Sequence, residues 1–259
     1  MKHVLVTGAA GAIGSAVARA FHARLSTAAV SLADVDGEGA RRAASAIGDV
    51  ARAVTWDLAK PDELPEALRA LESERGPVDI LVNCAGIMEI RSLAVTPWSL
   101  AERLLAVDLV SPLRLMHLVA PGMVERRRGC VVNVSSMAGV TPLRGCAYYG
   151  AAKAGIAMAS EIAHLELRRH DVDVITVYPG PVRSELERRA RAQAPESIVA
   201  RLLPTGDADS LARRIVDAWE HRRPRVVYPT FYDVASRFPA LAGRVTRAVS
   251  PHPLDQGSS

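Results

Sequence analysis

The sequence predicts an α/β fold with a doubly wound, seven-stranded parallel sheet. Short runs rich in β-branched residues alternate with longer, alanine-rich amphipathic stretches, and this alternation is typical of strand–helix–strand units with right-handed crossovers. The strand-like runs are continuously apolar, so they need cover on both faces. Apolar residues make up 49% of the 259 residues, which is ample for a large core. Together these observations favour a three-layer sandwich of the Rossmann type.

The elements alternate regularly along the chain. A glycine-rich turn separates the first strand from the first helix, the second strand ends at an acidic turn, and the fifth ends at two serines. The predicted strands are His3–Thr7, Ala29–Ala33, Arg52–Thr55, Ile80–Asn83, Cys130–Val134, Asp173–Val177 and Arg225–Tyr228. The predicted helices are Ile13–Arg24, Glu38–Ile47, Pro61–Glu74, Pro97–Val119 and Tyr148–Arg169, with a charged pair from Ser184 to Trp219.

One domain over residues 1–250 is predicted, because no repeat and no Pro/Gly/Ser-rich linker interrupts this pattern. The arginine-rich helical segment at about 183–220 follows a strand end, where α/β proteins place lids, and is expected to cover a substrate. Residues 251–259 are polar and contain prolines, so a flexible tail is expected there.

The composition argues against several classes of protein. The 32 basic and 28 acidic residues are interspersed and leave a net charge of +4, so no nucleic-acid partner is expected. The three cysteines form no CxxC pair and are interpreted as reduced, with no metal site. The first strand leaves no room for a signal peptide, and no run has the length and apolar purity of a membrane span. A cytoplasmic protein without a membrane partner is expected.

The glycine-rich turn VTGAAGAIG, from Val6 to Gly14, lies between the first strand and the first helix. Such a turn lets the backbone approach a pyrophosphate, which the free N–H groups and positive end of the helix then hold. A glycine turn used only for packing is the alternative. The turn lacks the lysine of a P-loop, which argues against nucleoside triphosphate hydrolysis.

Two aspartates follow the second strand and bear on the choice of cofactor. A carboxylate at the strand end accepts hydrogen bonds from an adenosine ribose and repels a 2′-phosphate. Asp34 is the better candidate because it ends the apolar run, whereas Asp36 precedes Gly37 and is equally suited to cap the next helix. The pattern favours NAD(H) over NADP(H).

Tyr149 and Lys153 are four residues apart and share one face of a helix. A free tyrosine has a pKa near ~10, and a neighbouring ammonium stabilises the phenolate and lowers that value. Ser136 ends the fifth strand, and strand carboxyl ends line the ligand crevice of open α/β sheets. A hydroxyl there can donate a hydrogen bond to a substrate carbonyl.

With these motifs in place, the chain resembles the single-domain short-chain dehydrogenase/reductases from His3 to about Ser184. The turn TGAAGAIG is similar to the family's TGxxxGxG, and NCAG, from Asn83 to Gly86, is similar to its NNAG with Cys84 as the departure. The serine followed by YxxxK matches, and PGPVRS, from Pro179 to Ser184, resembles PGxVxT. Asp57 and Leu58 fall where the family places a residue beside the adenine.

The resemblance implies reversible hydride transfer between a nicotinamide cofactor and a small-molecule secondary alcohol or ketone. It implies that Tyr149 is the acid–base catalyst and that Lys153 stabilises its phenolate and binds the nicotinamide ribose. It also implies that Ser136 donates a hydrogen bond to the substrate oxygen. The expected cofactor-binding residues are Gly8, Gly11, Ala12, Ile13, Gly14, Asp34, Asp57, Leu58, Asn83, Ala85, Gly86, Tyr149, Lys153, Pro179, Gly180, Val182 and Ser184.

Two departures from the family pattern matter. Ala12 occupies the middle glycine position of the turn and is expected to be tolerated if its φ stays negative. Asp108 stands where the family has an asparagine that supports a proton relay. We expect Asp108 to belong to the catalytic group and, if ionised near Lys153, to offset the charge that lowers the Tyr149 pKa. A purely structural aspartate is the alternative.

Two other functions stay open at this point. A non-catalytic dinucleotide sensor would keep the fold and lose the catalytic activity. The departure from the family pattern at Asp108 leaves this function open. An epimerase or dehydratase of the same superfamily is less favoured, because little chain remains after Ser184 for a substrate domain. Family members are commonly homodimers or homotetramers that pair through the helices Pro97–Val119 and Tyr148–Arg169, and the sequence does not choose between them.

Overall fold

The computed structural model describes residues 2–26, 28–193, 204–233, 235, 238–250 and 253. Its strands are β1 His3–Thr7, β2 Ala29–Asp34, β3 Ala51–Thr55, β4 Ile80–Asn83, β5 Gly129–Val134, β6 Val172–Pro179 and β7 Arg225–Tyr228. They form one parallel sheet in the order β3-β2-β1-β4-β5-β6-β7. The predicted doubly wound, seven-stranded sheet is confirmed, and its strand order reverses direction between β1 and β4.

Helices cover the connections between the strands. The described residues form α1 Ala12–Arg24, α2 Gly37–Ser45, α3 Leu64–Arg75, α4 Trp98–Leu105, α5 Ser111–Glu125, α6 Ala147–Leu167, α7 Glu185–Ala192, α8 Ala208–Glu220 and α9 Pro239–Val249. The predicted charged pair corresponds to α7 and α8. Helix α9 was not among the predicted elements.

The continuous apolar runs are buried on both faces, as expected for a parallel sheet. Successive side chains of β1 point to opposite faces, so that Val4 and Val6 pack in one core and Leu5 in the other. The first core contains Phe21 of α1 and residues of α8, and the second contains residues of α3, α5 and α6. The molecule is therefore a three-layer sandwich.

A π-helical segment, Ala106–Val110, joins α4 to α5. The combined stretch Trp98–Glu125 is long and apolar enough, by length and composition, to span a membrane, and 44% of its apolar window is buried in the fold. The expectation that no run reaches that length was wrong. The physical reason is that α5 covers the sheet, with Leu115, Val119 and Met123 fully or almost fully buried, so its composition is that of a core helix.

The functional groups gather where the strand order reverses. Connections after β1 and β4 leave in opposite directions there, which opens a crevice at the carboxyl ends of the strands. The hydroxyl of Thr7, the last residue of β1, accepts hydrogen bonds from the backbone N–H groups of Cys84 (3.2 Å) and Ala85 (3.3 Å). These bonds hold the chain segments on the two sides of the crevice together.

Candidate active site

The glycine-rich turn between β1 and α1 lies at the crevice, and steric contacts require glycine at both of its outer positions. Gly8 has a φ of +68°, and a Cβ there would lie 2.6 Å from the backbone of Ala85. A Cβ on Gly14 would lie 2.2 Å from the carbonyl oxygen of Gly8. Ala12 is the first residue of α1 and is not among the residues with positive φ, as the sequence argument required.

The N-terminus of α1 faces this turn without a side-chain cap. Its first backbone N–H groups are therefore available to an anion. A cleft of about 380 Å³ lies beside them, which we call the glycine-turn cleft. The predicted residues that line it are Gly8, Gly11, Ala12, Ile13, Gly14, Asp34, Asp57, Leu58, Ala85, Gly86 and Ser184.

The two aspartates after β2 have different roles. The Asp36 side chain accepts a hydrogen bond from the N–H of Gly39 (2.9 Å) and so caps α2. Asp34 lines the glycine-turn cleft, and its carboxylate accepts from the N–H groups of Ala10 (2.9 Å) and Asp36 (3.0 Å). The structure thus assigns the helix cap to Asp36 and places the Asp34 carboxylate beside the glycine turn.

A second cavity of about 350 Å³ adjoins the first, and we call it the tyrosine cavity. Both are lined by Ile13, Cys84, Gly86, Ser184 and Leu186. Six other predicted site residues line the tyrosine cavity: Ser136, Tyr149, Lys153, Pro179, Gly180 and Val182. The structure therefore brings the predicted serine, tyrosine and lysine together next to the glycine-turn cleft.

Local packing fixes the serine against the tyrosine helix. Ser136 follows β5, and its Oγ accepts a hydrogen bond from the N–H of Ala138 (3.1 Å). Its neighbour Ser135, which the sequence argument treated as a turn residue, donates to the backbone carbonyl of Lys153 on α6 (2.6 Å). A Cβ on Gly139 would lie 2.7 Å from the backbone carbon of Lys153, so the turn and the helix are in close contact.

Lys153 and Asp108 form a buried ion pair behind the cavity wall. Lys153 Nζ lies 3.0 Å from Asp108 Oδ2 and donates to the carbonyl oxygen of Val134 (3.2 Å). The other Asp108 oxygen accepts from the N–H of Ile87 (2.8 Å), and the residue is 0% exposed. A Cβ on Gly86 would lie 2.9 Å from Asp108 Oδ2, so this glycine leaves room for the pair.

Two of the predicted site residues, both within the described part of the chain, line neither cavity: Asn83 and Asp108. Asn83 ends β4, and its amide donates to Asn133 Oδ1 on β5 (2.8 Å) and to the carbonyl of Pro112 (3.2 Å). It supports the strand ends from below the crevice.

Comparison with known proteins identifies the family. A family model described as short chain dehydrogenase matches residues 2–195. The chain belongs to this family. Galactitol 2-dehydrogenase of Agrobacterium fabrum (strain C58 / ATCC 33970) is 35% identical over 185 residues, which cover 71% of this chain and 72% of that protein. The resemblance stated from the motifs is confirmed, and the protein is an oxidoreductase of the short-chain, NAD(P)-dependent type.

Solved structures of short-chain dehydrogenases agree with the fold. A short-chain dehydrogenase from Sphingobium yanoikuyae in complex with NADPH superimposes with a TM-score of 0.80 at 27% identity, over 100% of this chain and 99% of that one. A metagenomic short-chain oxidoreductase in complex with NADP gives 0.71 at 29% identity, over 87% and 96%.

The electrostatics of this short-chain dehydrogenase differ from the sequence argument in one respect. Burial raises the pKa of the Tyr149 phenol, whereas the Lys153 cation and a hydrogen bond with Ser136 lower it and the Asp108 carboxylate raises it. The net pKa lies above its ordinary value. The argument from the Lys153 cation alone predicted the opposite sign, because it left out the loss of water around a buried phenol.

Asp108 also affects the pKa of Lys153. Burial alone would lower the pKa of Lys153, but the charge of Asp108 raises it overall, which keeps the ammonium protonated. Burial raises the pKa of Asp108, while Lys153 and the N–H of Ile87 act in the opposite direction. The predicted proximity of Asp108 to Lys153 is thus present in the structure.

The segment after β6 covers both cavities. Helix α7 places Leu186 in both linings, Glu187 and Ala190 in the tyrosine cavity, and Arg189 in the glycine-turn cleft. Gln193, just after α7, accepts a hydrogen bond from the N–H of Ile90 (2.8 Å) and donates to Glu89 (2.6 Å). These bonds tie the end of α7 to the loop after β4, across the tyrosine cavity.

Several lining residues were missed by sequence reasoning. Trp56 and Arg103 line the glycine-turn cleft, and Ser250 and Pro253 line the tyrosine cavity. No motif marks them, because they reach the site through tertiary packing of separate elements. The expected flexible tail, 251–259, lies outside the described residues except for Pro253.

Proposed function

We propose that this short-chain dehydrogenase interconverts a secondary alcohol and a ketone by hydride transfer, using a Ser136–Tyr149–Lys153 site. The observation that carries this proposal is that the three side chains line one cavity, which adjoins the glycine-turn cleft. A hydroxyl donor, a phenol and an ammonium at the carboxyl ends of parallel strands can bind a carbonyl oxygen and move a proton to or from it.

The residues of the glycine-turn cleft fit a nicotinamide dinucleotide. Gly8 and Gly14 allow the close backbone packing that shapes the turn beside the cleft, and the uncapped N-terminus of α1 offers N–H groups to a pyrophosphate. The expected holders are the cleft residues together with Pro179, Gly180 and Val182, which line the adjoining cavity. When bound, this cofactor accepts or supplies the hydride that the substrate carbon loses or gains.

The chain's own groups carry the proton and bind the oxygen. Tyr149 takes the hydroxyl proton during alcohol oxidation and returns it during ketone reduction. Lys153 supplies the positive charge beside the phenolate and also binds the ribose of the cofactor. Ser136, whose Oγ accepts from the N–H of Ala138 and which hydrogen-bonds with Tyr149, can donate its O–H to the oxygen of a bound substrate. Asp108 belongs to this group through its ion pair with Lys153.

We propose NAD(H) as the preferred cofactor. The support is the Asp34 carboxylate at the end of β2, which lines the cleft and would repel a 2′-phosphate. Two solved relatives are in complex with NADPH and NADP. Cofactor preference is therefore the first quantity to measure.

The rest of the proposal concerns organisation. Residues 1–250 act as one catalytic domain, and the segment at about 183–220, of which 194–203 lie outside the described residues, serves as the substrate lid. The protein works as a homodimer or homotetramer. The free cysteines Cys84, Cys130 and Cys146 support a reducing, cytoplasmic compartment.

A dinucleotide sensor is the second candidate. The observation that favours it is the buried Asp108 carboxylate, which acts against the Lys153 cation on the Tyr149 pKa. A sensor would bind NADH tightly and turn over none of a broad panel of substrates.

The test is to follow the absorbance of NADH and NADPH with a panel of secondary alcohols and ketones, using wild type and Tyr149→Phe. We expect turnover by wild type, a higher kcat/KM with NADH than with NADPH, and a loss of about 10²-fold or more in the variant, which lacks the transferable proton. The variant should still bind NADH, with at most a modest loss of affinity from the missing hydroxyl, because the glycine-turn cleft is unchanged. Tight binding of NADH without turnover by wild type would contradict the enzyme and support the sensor.

A further inference from the structure

The described lining of the tyrosine cavity is mostly apolar beyond its reacting groups, with its arginines at the rim. The side chains that line it away from Ser136, Tyr149 and Lys153 include Met88, Ile90, Met137, Cys146, Leu186 and Ala190. They come from the loop after β4, the turn after β5, the N-terminus of α6 and helix α7, so the apolar wall surrounds the reacting groups on several sides. Burial raises the pKa of the Cys146 thiol to about 11, so this side chain is neutral as well.

The charged side chains in the described lining either lie at its edge or are partnered within the chain. Arg191 forms an ion pair with Glu187, and the guanidinium of Arg144 donates to the backbone carbonyl of Ser250. Both arginines are exposed, so they lie where the cavity meets water. A substrate carboxylate or phosphate would therefore meet these cations only at the exposed rim, and the buried cation, Lys153, is already paired with Asp108.

We propose that the substrate is an uncharged ketone, or the matching secondary alcohol, whose hydrocarbon chain packs against this apolar wall. The inference rests on the proposed function and names its substrate class. Each hydroxyl of a polyol placed against these side chains would lose hydrogen bonds to water without replacement, which is costly. Each methylene placed there gains contact and loses water. Polyols are therefore disfavoured beyond the single hydroxyl that reacts.

The reaction balances with the partners already named. In reduction, the carbonyl carbon gains a hydride as the nicotinamide ring is oxidised, and the carbonyl oxygen gains the Tyr149 proton. Solvent reprotonates the tyrosine, so one ketone, one NADH and one proton give one alcohol and one NAD⁺. Oxidation is the reverse.

The test uses 2-alkanones from 2-butanone to 2-decanone and, in the other direction, 2-octanol, galactitol and sorbitol. We expect kcat/KM to rise by about fourfold per methylene until the cavity is full. We also expect 2-octanol to be oxidised at least tenfold faster than either polyol at equal concentration. Affinity for the alkanones is measured separately by calorimetry with NAD⁺ present, so that binding is read without turnover.

A matched pair of variants tests whether the apolar wall causes the dependence of kcat/KM on chain length. Met88→Gln places an amide of similar length in the cavity, and we expect the chain-length dependence to flatten, with 2-octanone losing about tenfold in kcat/KM. Leu93→Gln is the control, since Leu93 lies on the same loop, is 62% exposed and does not line the cavity. Both variants should bind NADH as wild type does.

The outcomes separate the two proposals. The proposal of an apolar substrate would be overturned if kcat/KM and affinity did not change with chain length. It would also be overturned if galactitol or sorbitol were oxidised faster than 2-octanol. Either result would leave the proposed oxidoreductase reaction standing. If no compound is turned over but the affinity for the alkanones still rises with chain length, the proposed reaction is wrong and the proposal of an apolar ligand stands.

Discussion

The pair formed by Asp108 and Lys153 shows how much one substitution changes at the residue scale. An asparagine at position 108 would accept from the N–H of Ile87 as the aspartate does, but it would bring no charge to the lysine 3.0 Å away. The carboxylate raises the pKa of both Lys153 and Tyr149. We therefore propose that Asp108 is a positioning residue, which acts on the phenol through the lysine and through its own charge.

Asp108→Asn tests this coupling. Alcohol oxidation needs Tyr149 deprotonated, so its rate rises with pH through the Tyr149 pKa. Removing the negative charge of Asp108 lowers that pKa, and the rising limb of the kcat profile moves to lower pH. Oxidation at pH 7 should become severalfold faster, as measured by NADH formation across pH 6–10.

Two controls accompany this variant. The variant should stay folded with a Kd for NADH close to that of wild type, because asparagine keeps the oxygen that holds Ile87, but its melting temperature should fall because Lys153 loses its buried counter-charge. An unchanged pH profile in a folded, NADH-binding variant would show that Asp108 has only a structural role.

At this scale the sequence predicted the grouping of the proposed reacting side chains better than the contacts that support them. Ser136, Tyr149 and Lys153 stand in spaced motifs, and the structure brings all three to one cavity. Ser135 and its bond to the backbone of Lys153 were missed, because that contact joins a strand end to a helix through tertiary packing. The sign of the net Tyr149 pKa shift was missed for a similar reason, since burial cannot be read from spacing.

At the scale of elements, strand positions were predicted within about a residue, because continuous apolar runs mark the strands of a parallel sheet. The π-helical segment Ala106–Val110 was not predicted. Asp108 is the one charged residue in this segment, and a single acidic residue does not mark an inserted residue in a helix, yet the segment carries Asp108 into the core. Its effect on function is visible only in the structure.

Helix α7 offers a comparison of two neighbouring arginines. Arg188 and Arg189 both pair with Glu185, at 2.7 and 2.8 Å, and both are mostly exposed. Arg189 lines the glycine-turn cleft and Arg188 does not. Their exposed ion pairs contribute little to stability, at most about 1 kcal/mol each.

Arg189→Ala should therefore weaken NADH binding about threefold to tenfold, because the variant loses a cation beside the cleft that we propose holds the pyrophosphate. The loss should shrink as ionic strength rises. Arg188→Ala is the matched control and should change the Kd less than twofold. Both are measured by NADH fluorescence at low and high salt, and equal Kd values for the two variants would contradict a role of Arg189 at the cleft.

At the scale of the whole molecule, helix α6 has an apolar surface opposite its catalytic one. Met158, Ile162 and Leu165 are spaced four and three residues apart and lie on one face of the helix. They are 60%, 47% and 78% exposed. The sequence pointed to this helix through the family resemblance, but it could not choose between dimer and tetramer, since that choice depends on surfaces from several elements.

Leu165→Glu tests whether a second copy covers this face. A charge buried in an apolar interface has no partner and must lose its water, so the variant should dissociate to the 27.7 kDa monomer at micromolar concentration. Light scattering after size-exclusion chromatography gives the mass, and the melting temperature shows whether each subunit stays folded. Leu93→Glu is the control, since Leu93 lies outside α6 and is 62% exposed, and this variant should keep the mass of wild type. A monomeric wild type, or a Leu165→Glu variant that keeps the oligomeric mass, would show that this face does not join subunits.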